Sequence, residues 1–161
     1  MRTINPAEYL SEWIIRFEKN KDLILKRMID IGHNKEEDLV IANLEKGGKQ
    51  AYLLEPFLDE KQITSIFERL KSYENCSIVV YNTKDNFDVI VDNWEKFVGF
   101  KRNFSISFIN PFSRTDKRWV VYPATHSLVT DDSKTKQSLK ILFSNVEATT
   151  KEDVERIVSS S

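Results

Sequence analysis

The stretch from residue 50 to residue 110 limits the fold more than any other part of this chain. Short apolar runs at 51–57, 77–81 and 104–109 alternate with helix-length amphipathic patterns at 59–73 and 85–98. Strands alternating with helices in this way form crossover units, and crossover units build a parallel sheet. In the first helical pattern Ile63, Ile66, Phe67, Leu70 and Tyr73 recur at helical spacing behind an Asp59-x-x-Gln62 capping sequence. In the second, Phe87, Ile90, Val91, Trp94, Phe97 and Val98 make the apolar face, with Asp85 placed to cap it and Gly99 to stop it. Ile78, Val79 and Val80 give the central run the near-continuous apolar character of a strand covered on both faces. Strict alternation in Phe104-Ser105-Ile106-Ser107-Phe108-Ile109 predicts a strand with one face less covered, nearer a sheet edge.

The flanks complete the sheet. Apolar runs at 39–44 and 51–54 border Lys46-Gly47-Gly48-Lys49, and a Gly-Gly pair supplies the positive φ a tight hairpin needs. The phosphate-loop spacing G-x-x-x-x-G-K-[ST] is absent there. Asn5-Pro6 opens an N-terminal helical segment spanning 1–32, with Asn as cap and Pro in the first turn. Tyr9, Leu10, Trp13, Ile14 and Phe17 form its first apolar set, Leu23, Ile24, Met28 and Ile31 its second, and Gly32 ends it just before His33. Residues 118–122 read as a fifth strand broken by Pro123, and Ser127-Leu128-Val129-Thr130 stays open as an extension of it. Leu139, Leu142, Phe143 and Val146 mark a helix, Thr149-x-x-Glu152 caps a last short one, and 159–161 is a frayed tail. The expectation is a single α/β domain over 1–161 in three layers. Its mixed sheet of roughly five strands has an N-terminal antiparallel hairpin, a βαβαβ centre and flanking helices.

Composition narrows the function classes. With 161 residues, 40% hydrophobic and 30% charged, the chain suits one self-supporting soluble domain. It has no apolar run near the roughly 20 residues that span a bilayer, and its acidic, Pro-bearing start is not a signal peptide. Cys76 is the lone cysteine, which excludes an intrachain disulfide and a cysteine-cluster metal site. A cytoplasmic protein without cofactor or metal is expected. Residues 1–100 carry 14 Lys/Arg against 18 Asp/Glu, whereas residues 101–140 carry 8 against 3. A local cationic excess of this kind speaks of anionic partners rather than of fold.

Ligands of open α/β sheets sit beyond the carboxyl ends of parallel strands. Those ends fall at 82–85 and 110–117, which nominates Asn82, Asp85, Asn110, Ser113, Arg114, Lys117 and Arg118 as ligand-binding residues. Arginine matches phosphate or carboxylate in a bidentate fork. The plainer reading is a solvated turn whose Asp116 caps its own loop or pairs with a neighbouring base. For catalysis the candidates are His126, followed by Asp131 and Asp132, and Asp116 upstream. Ser127 beside His126 points away from it if the segment is extended. Lys101, Arg102, Arg114, Lys117 and Arg118 interleave with Phe100, Phe104, Phe108, Phe112, Trp119 and Tyr122. Bases among aromatics are what single-stranded nucleic-acid platforms use, although Phe104 and Phe108 also share one strand face, as core residues do. The leading expectation is a non-catalytic binding or regulatory module for a protein partner or a small anionic ligand. The alternative is an enzyme or nucleic-acid-binding protein that engages a phosphate-bearing substrate through the basic 101–118 region.

Overall fold

A computed structural model describes residues 5–160. Helix α1 (Pro6–Leu25) starts as its sequence dictates: the Asn5 side chain accepts from the Glu8 amide at 3.0 Å and Pro6 occupies the first turn. It buries Ala7, Leu10, Ser11, Trp13 and Ile14. The helix stops well short of Gly32, because Lys26 turns left-handed at φ 49°. Asp22 then accepts from the amides of Arg27 (2.8 Å) and Met28 (3.0 Å), which gives the chain's exit two satisfied donors. The second apolar set therefore divides. Leu23 and Ile24 stay on the helix in solvent, and Met28 and Ile31 enter a strand, β1 (Met28–Asn34). Gly32 and His33 lie inside that strand, so neither ends a helix. The expected helical segment 1–32 is corrected accordingly; its first four residues lie outside the described ones.

Strand β1 pairs antiparallel with β2 (Leu39–Leu44), and β2 with β3 (Lys49–Leu54) around Gly47, whose φ is 83°. After a 3-10 turn at Glu60–Gln62, α2 (Ile63–Leu70) crosses to β4 (Asn75–Tyr81), parallel to β3. Helices α3 (Lys84–Asp92) and α4 (Trp94–Val98) then cross to β5 (Phe104–Ile109), parallel to β4, and β6 (Arg118–Val121) returns antiparallel. The predicted helix over 85–98 is thus two. Asn93 breaks it at φ −118°, ψ 23°, its side-chain nitrogen donating to the Val89 carbonyl at 2.8 Å. Its cap is Thr83, whose hydroxyl accepts from the Asn86 amide, and Asp85 stands exposed in the first turn. The mixed α/β sheet has the expected centre plus one further strand at its edge, in the order β1-β2-β3-β4-β5-β6.

Crossovers of one hand that advance in one direction put their helices on one face. Here α2, α3 and α4 bury Ile66, Leu70, Phe87, Ile90 and Phe97 with Ile78, Val80, Ile106 and Phe108 of the sheet. Helices α5 (Pro123–Val129) and α6 (Thr135–Ser144) join this face, so residues 127–129 are helical rather than an extended strand. The other face carries α1 and α7 (Lys151–Ser159) over Val40, Tyr52, Leu54, Val79, Tyr81 and Ile109. Thr150, not Thr149, caps α7, and Ser159 belongs to that helix rather than to a frayed tail; Ser161 lies outside the described residues. Strand β5 is buried along its whole length, contrary to its alternating sequence. Ser105 tolerates burial because its hydroxyl sits 2.8 Å from the Ser77 hydroxyl, which also donates to the Ser105 carbonyl at 3.0 Å.

Candidate functional site

The carboxyl ends of β3, β4 and β5 are closed. A ligand crevice in an open α/β sheet forms where neighbouring connections leave for opposite faces; α2 and α3 leave for the same face, whereas α3 and the chain after β5 part for opposite faces between β4 and β5. The chain after α6 covers the ends there. Asn82, fully buried, donates to the Val146 carbonyl at 2.9 Å and accepts from the Trp119 indole nitrogen at 2.8 Å. Its backbone carbonyl accepts from the Thr149 amide at 3.0 Å, beside a parallel bridge between Thr83 and Thr149. Asn110 donates to the Glu147 carbonyl at 3.1 Å and accepts from the Phe112 amide. Asn86 bonds the Leu58 amide and the Pro56 and Tyr81 carbonyls, all within 2.9 Å. Asn82 and Asn110, nominated for ligand binding, spend their amides holding the C-terminal segment to the sheet.

The loop after Asn110 opens a different surface. It turns away from the strand ends and lies along α1. Phe112 packs edge-on to Tyr9 and stacks over Tyr81, with centroids 5.0 and 6.1 Å apart. Asp116 pairs with Arg16 at 2.9 Å. Arg118 pairs with Glu18 at 3.1 Å and lies over the Phe17 ring at 4.3 Å. Burial first, and then the nearby Glu18 carboxylate, push the pKa of the Tyr52 hydroxyl well above its ordinary value. Arg118 is mostly buried in this arrangement and serves packing more than a ligand.

Between loop and helix lie two adjoining cavities. One of about 230 Å³ is lined by Tyr9, Glu12, Trp13, Arg16 and Pro111; one of about 380 Å³ by Arg16, Phe17, Asn20, Lys21 and Asp116. Arg16 belongs to both. Its pair with Asp116 is exposed on both sides, and exposed pairs hold loosely, at about 0–1 kcal/mol. Arg114 and Lys117 stand exposed on the same loop, with no ion pair or hydrogen bond to their side chains among the described residues, and Ser113 bonds only within the loop, to Thr115. Arg16 and Lys21 were not nominated from sequence. Their signal was the polar face of α1, which reads as ordinary solvated surface until the loop is laid against it.

The catalytic candidates do not meet. His126 sits in α5 on the crossover side, its Nε2 2.9 Å from the Ser138 hydroxyl and its ring edge-on to Trp94. Burial lowers its pKa. Asp116 lies across the sheet beside α1. His33 packs with its Nε2 buried and 4.0 Å from Asp38, too far for a hydrogen bond, and desolvation lowers its pKa. Among the described residues no three His, Cys, Asp or Glu side chains gather as a metal site. Cys76 is buried, which raises its thiol pKa. The interleaved aromatics form no platform either: Phe104, Phe108 and Trp119 are core residues, and Lys101 donates to the Tyr73 carbonyl at 2.8 Å and to that of Lys71. Among the described residues no helix is long and apolar enough to cross a membrane.

What the fold and this groove define is an α/β protein with a mixed six-stranded sheet. Comparison with protein-family models, with curated proteins and with solved structures found no match to the chain.

Proposed function

We propose that the protein is a non-catalytic binding module whose groove between α1 and the 110–118 loop takes an anionic group, from a small ligand or an acidic part of a protein partner. The observation that supports this is Arg16. It lines both cavities, is held only by an exposed carboxylate, and shares one cavity with Lys21, while Arg114 and Lys117 stand exposed on the loop that supplies Asp116. A carboxylate or phosphate can replace Asp116 on the guanidinium as a bidentate partner and draw on the neighbouring cations. The aromatic wall of Tyr9, Trp13 and Phe17 suits an anion carried on an apolar or planar body. Among the described residues the site brings no positioned base beside a nucleophile, and binding alone is assigned to it.

The test is thermal unfolding in the presence of inorganic phosphate, citrate and a nucleoside monophosphate. At least one should raise the midpoint with rising concentration, since a ligand of the native state stabilises it by mass action. Arg16→Ala should abolish the rise. A rise that persists unchanged in this variant, or no rise with any of the three, overturns the reading.

A further inference from the structure

The charges that line the α1 groove are sorted along the helix. The smaller cavity, of about 230 Å³, has Glu12 with Tyr9 and Trp13 in its wall, and the larger, of about 380 Å³, has Asn20 and Lys21. Arg16 stands between them and belongs to both. Helix geometry sets this order. Residues 12 and 16 lie on one face, about 6 Å apart along the axis, and Lys21 follows further in the same direction. Counted with Asp116, the lining holds two carboxylates and two cations. A bare anion meets no net charge there, whereas a molecule with a cationic and an anionic end meets the opposite charge at each.

Glu12 is the unspent group. A glutamate four residues before an arginine is placed to pair with it across a helix face. Here Arg16 turns to Asp116 instead, at 2.9 Å. The Glu12 carboxylate is left exposed, with no ion pair or hydrogen bond among the described residues. Its two aromatic neighbours are fixed in place. Trp13 stacks on Phe17 with centroids 4.8 Å apart, and Tyr9 packs edge-on to Phe112 at 5.0 Å. A carboxylate beside aromatic rings is a chemical set that holds an ammonium group, the one through charge and the others through their π faces. We propose that the groove takes a small zwitterion, with its ammonium at Glu12 and its carboxylate or phosphate on Arg16 and Lys21 in place of Asp116. The proposal rests on the anion-binding reading of the same groove and adds the cationic end of the ligand. Charged ends about one helical turn apart are those of ω-amino acids and aminoalkyl phosphates.

The test compares two matched pairs, 2-aminoethyl phosphate against ethyl phosphate and 4-aminobutanoate against butanoate. Each is titrated into the labelled protein while the backbone amides of residues 9–21 and the Trp13 indole are followed by NMR. In at least one pair the amine-bearing member should bind about fivefold more tightly than its partner, the gain of one partly exposed ammonium contact. Glu12→Gln should erase that advantage, weakening the amines and strengthening the plain anions, which lose a like charge nearby. Equal affinity within both pairs overturns the proposal and leaves the groove an anion site. An advantage that survives Glu12→Gln overturns it as well, because the ammonium is then held elsewhere. Ethylamine binding as tightly as 2-aminoethyl phosphate, or no binding by any of the four, overturns the anion reading and the proposal with it.

Discussion

Two polar stretches that look alike in sequence end up in opposite environments. The asparagines at the carboxyl ends of β4 and β5 are interior, and Arg114, Asp116 and Lys117, a few positions after Asn110, are on the surface. An asparagine carries a donor and an acceptor on a short stem, so it can pair with backbone groups that a strand leaves at its end. Asn82 takes the Trp119 indole N–H and the Val146 carbonyl, Asn110 the Phe112 amide and the Glu147 carbonyl. Arginine and lysine have longer stems and a charge that resists desolvation, so they remain outside unless a carboxylate comes with them. Arg118, which finds Glu18, is the intermediate case. Polarity after a strand is therefore ambiguous, and side-chain length with partner supply decides between seal and site.

The sharpest way to break this comparison is Asn82→Ala. It leaves the Trp119 indole and the Val146 carbonyl without partners inside the protein, at about 1–3 kcal/mol each, so a loss of about 3 kcal/mol is expected in urea unfolding. A change under about 0.5 kcal/mol, the usual range of a surface substitution, would place Asn82 among the exposed residues. The next effect in size belongs to Arg118→Ala. Its pair is mostly buried, and truncation also strips its contact with the Phe17 ring, so about 2 kcal/mol is expected, between the values for exposed and buried pairs. The double change Arg114→Ala with Lys117→Ala should be smallest, within about 0.5 kcal/mol, because both side chains are exposed. Measured on the same unfolding curves, a large loss in the double variant would mean that the loop is structural throughout.

Local sequence by itself determined the centre of this protein. The short apolar runs of the strands, the period near 3.6 in α2 and α3, and the turn chemistry of Asn5-Pro6 and Gly47-Gly48 are each set within a few residues. They were enough to fix the mixed sheet and its parallel centre. What they left undecided is everything set by a partner far along the chain. Helix α1 ends at Leu25 because Asp22 satisfies the next amides and β2 offers Met28 and Ile31 a ladder. Ser105 is buried because Ser77 lies opposite it in the register. The strand ends are sealed because residues 146–149 return to them, and Arg16 lines a groove because a loop 100 residues later lies against it. Such contacts leave no periodic trace in sequence. Their free energy comes from desolvation and hydrogen bonding between groups that only the folded chain brings together, so tertiary structure alone decided where a ligand can reach.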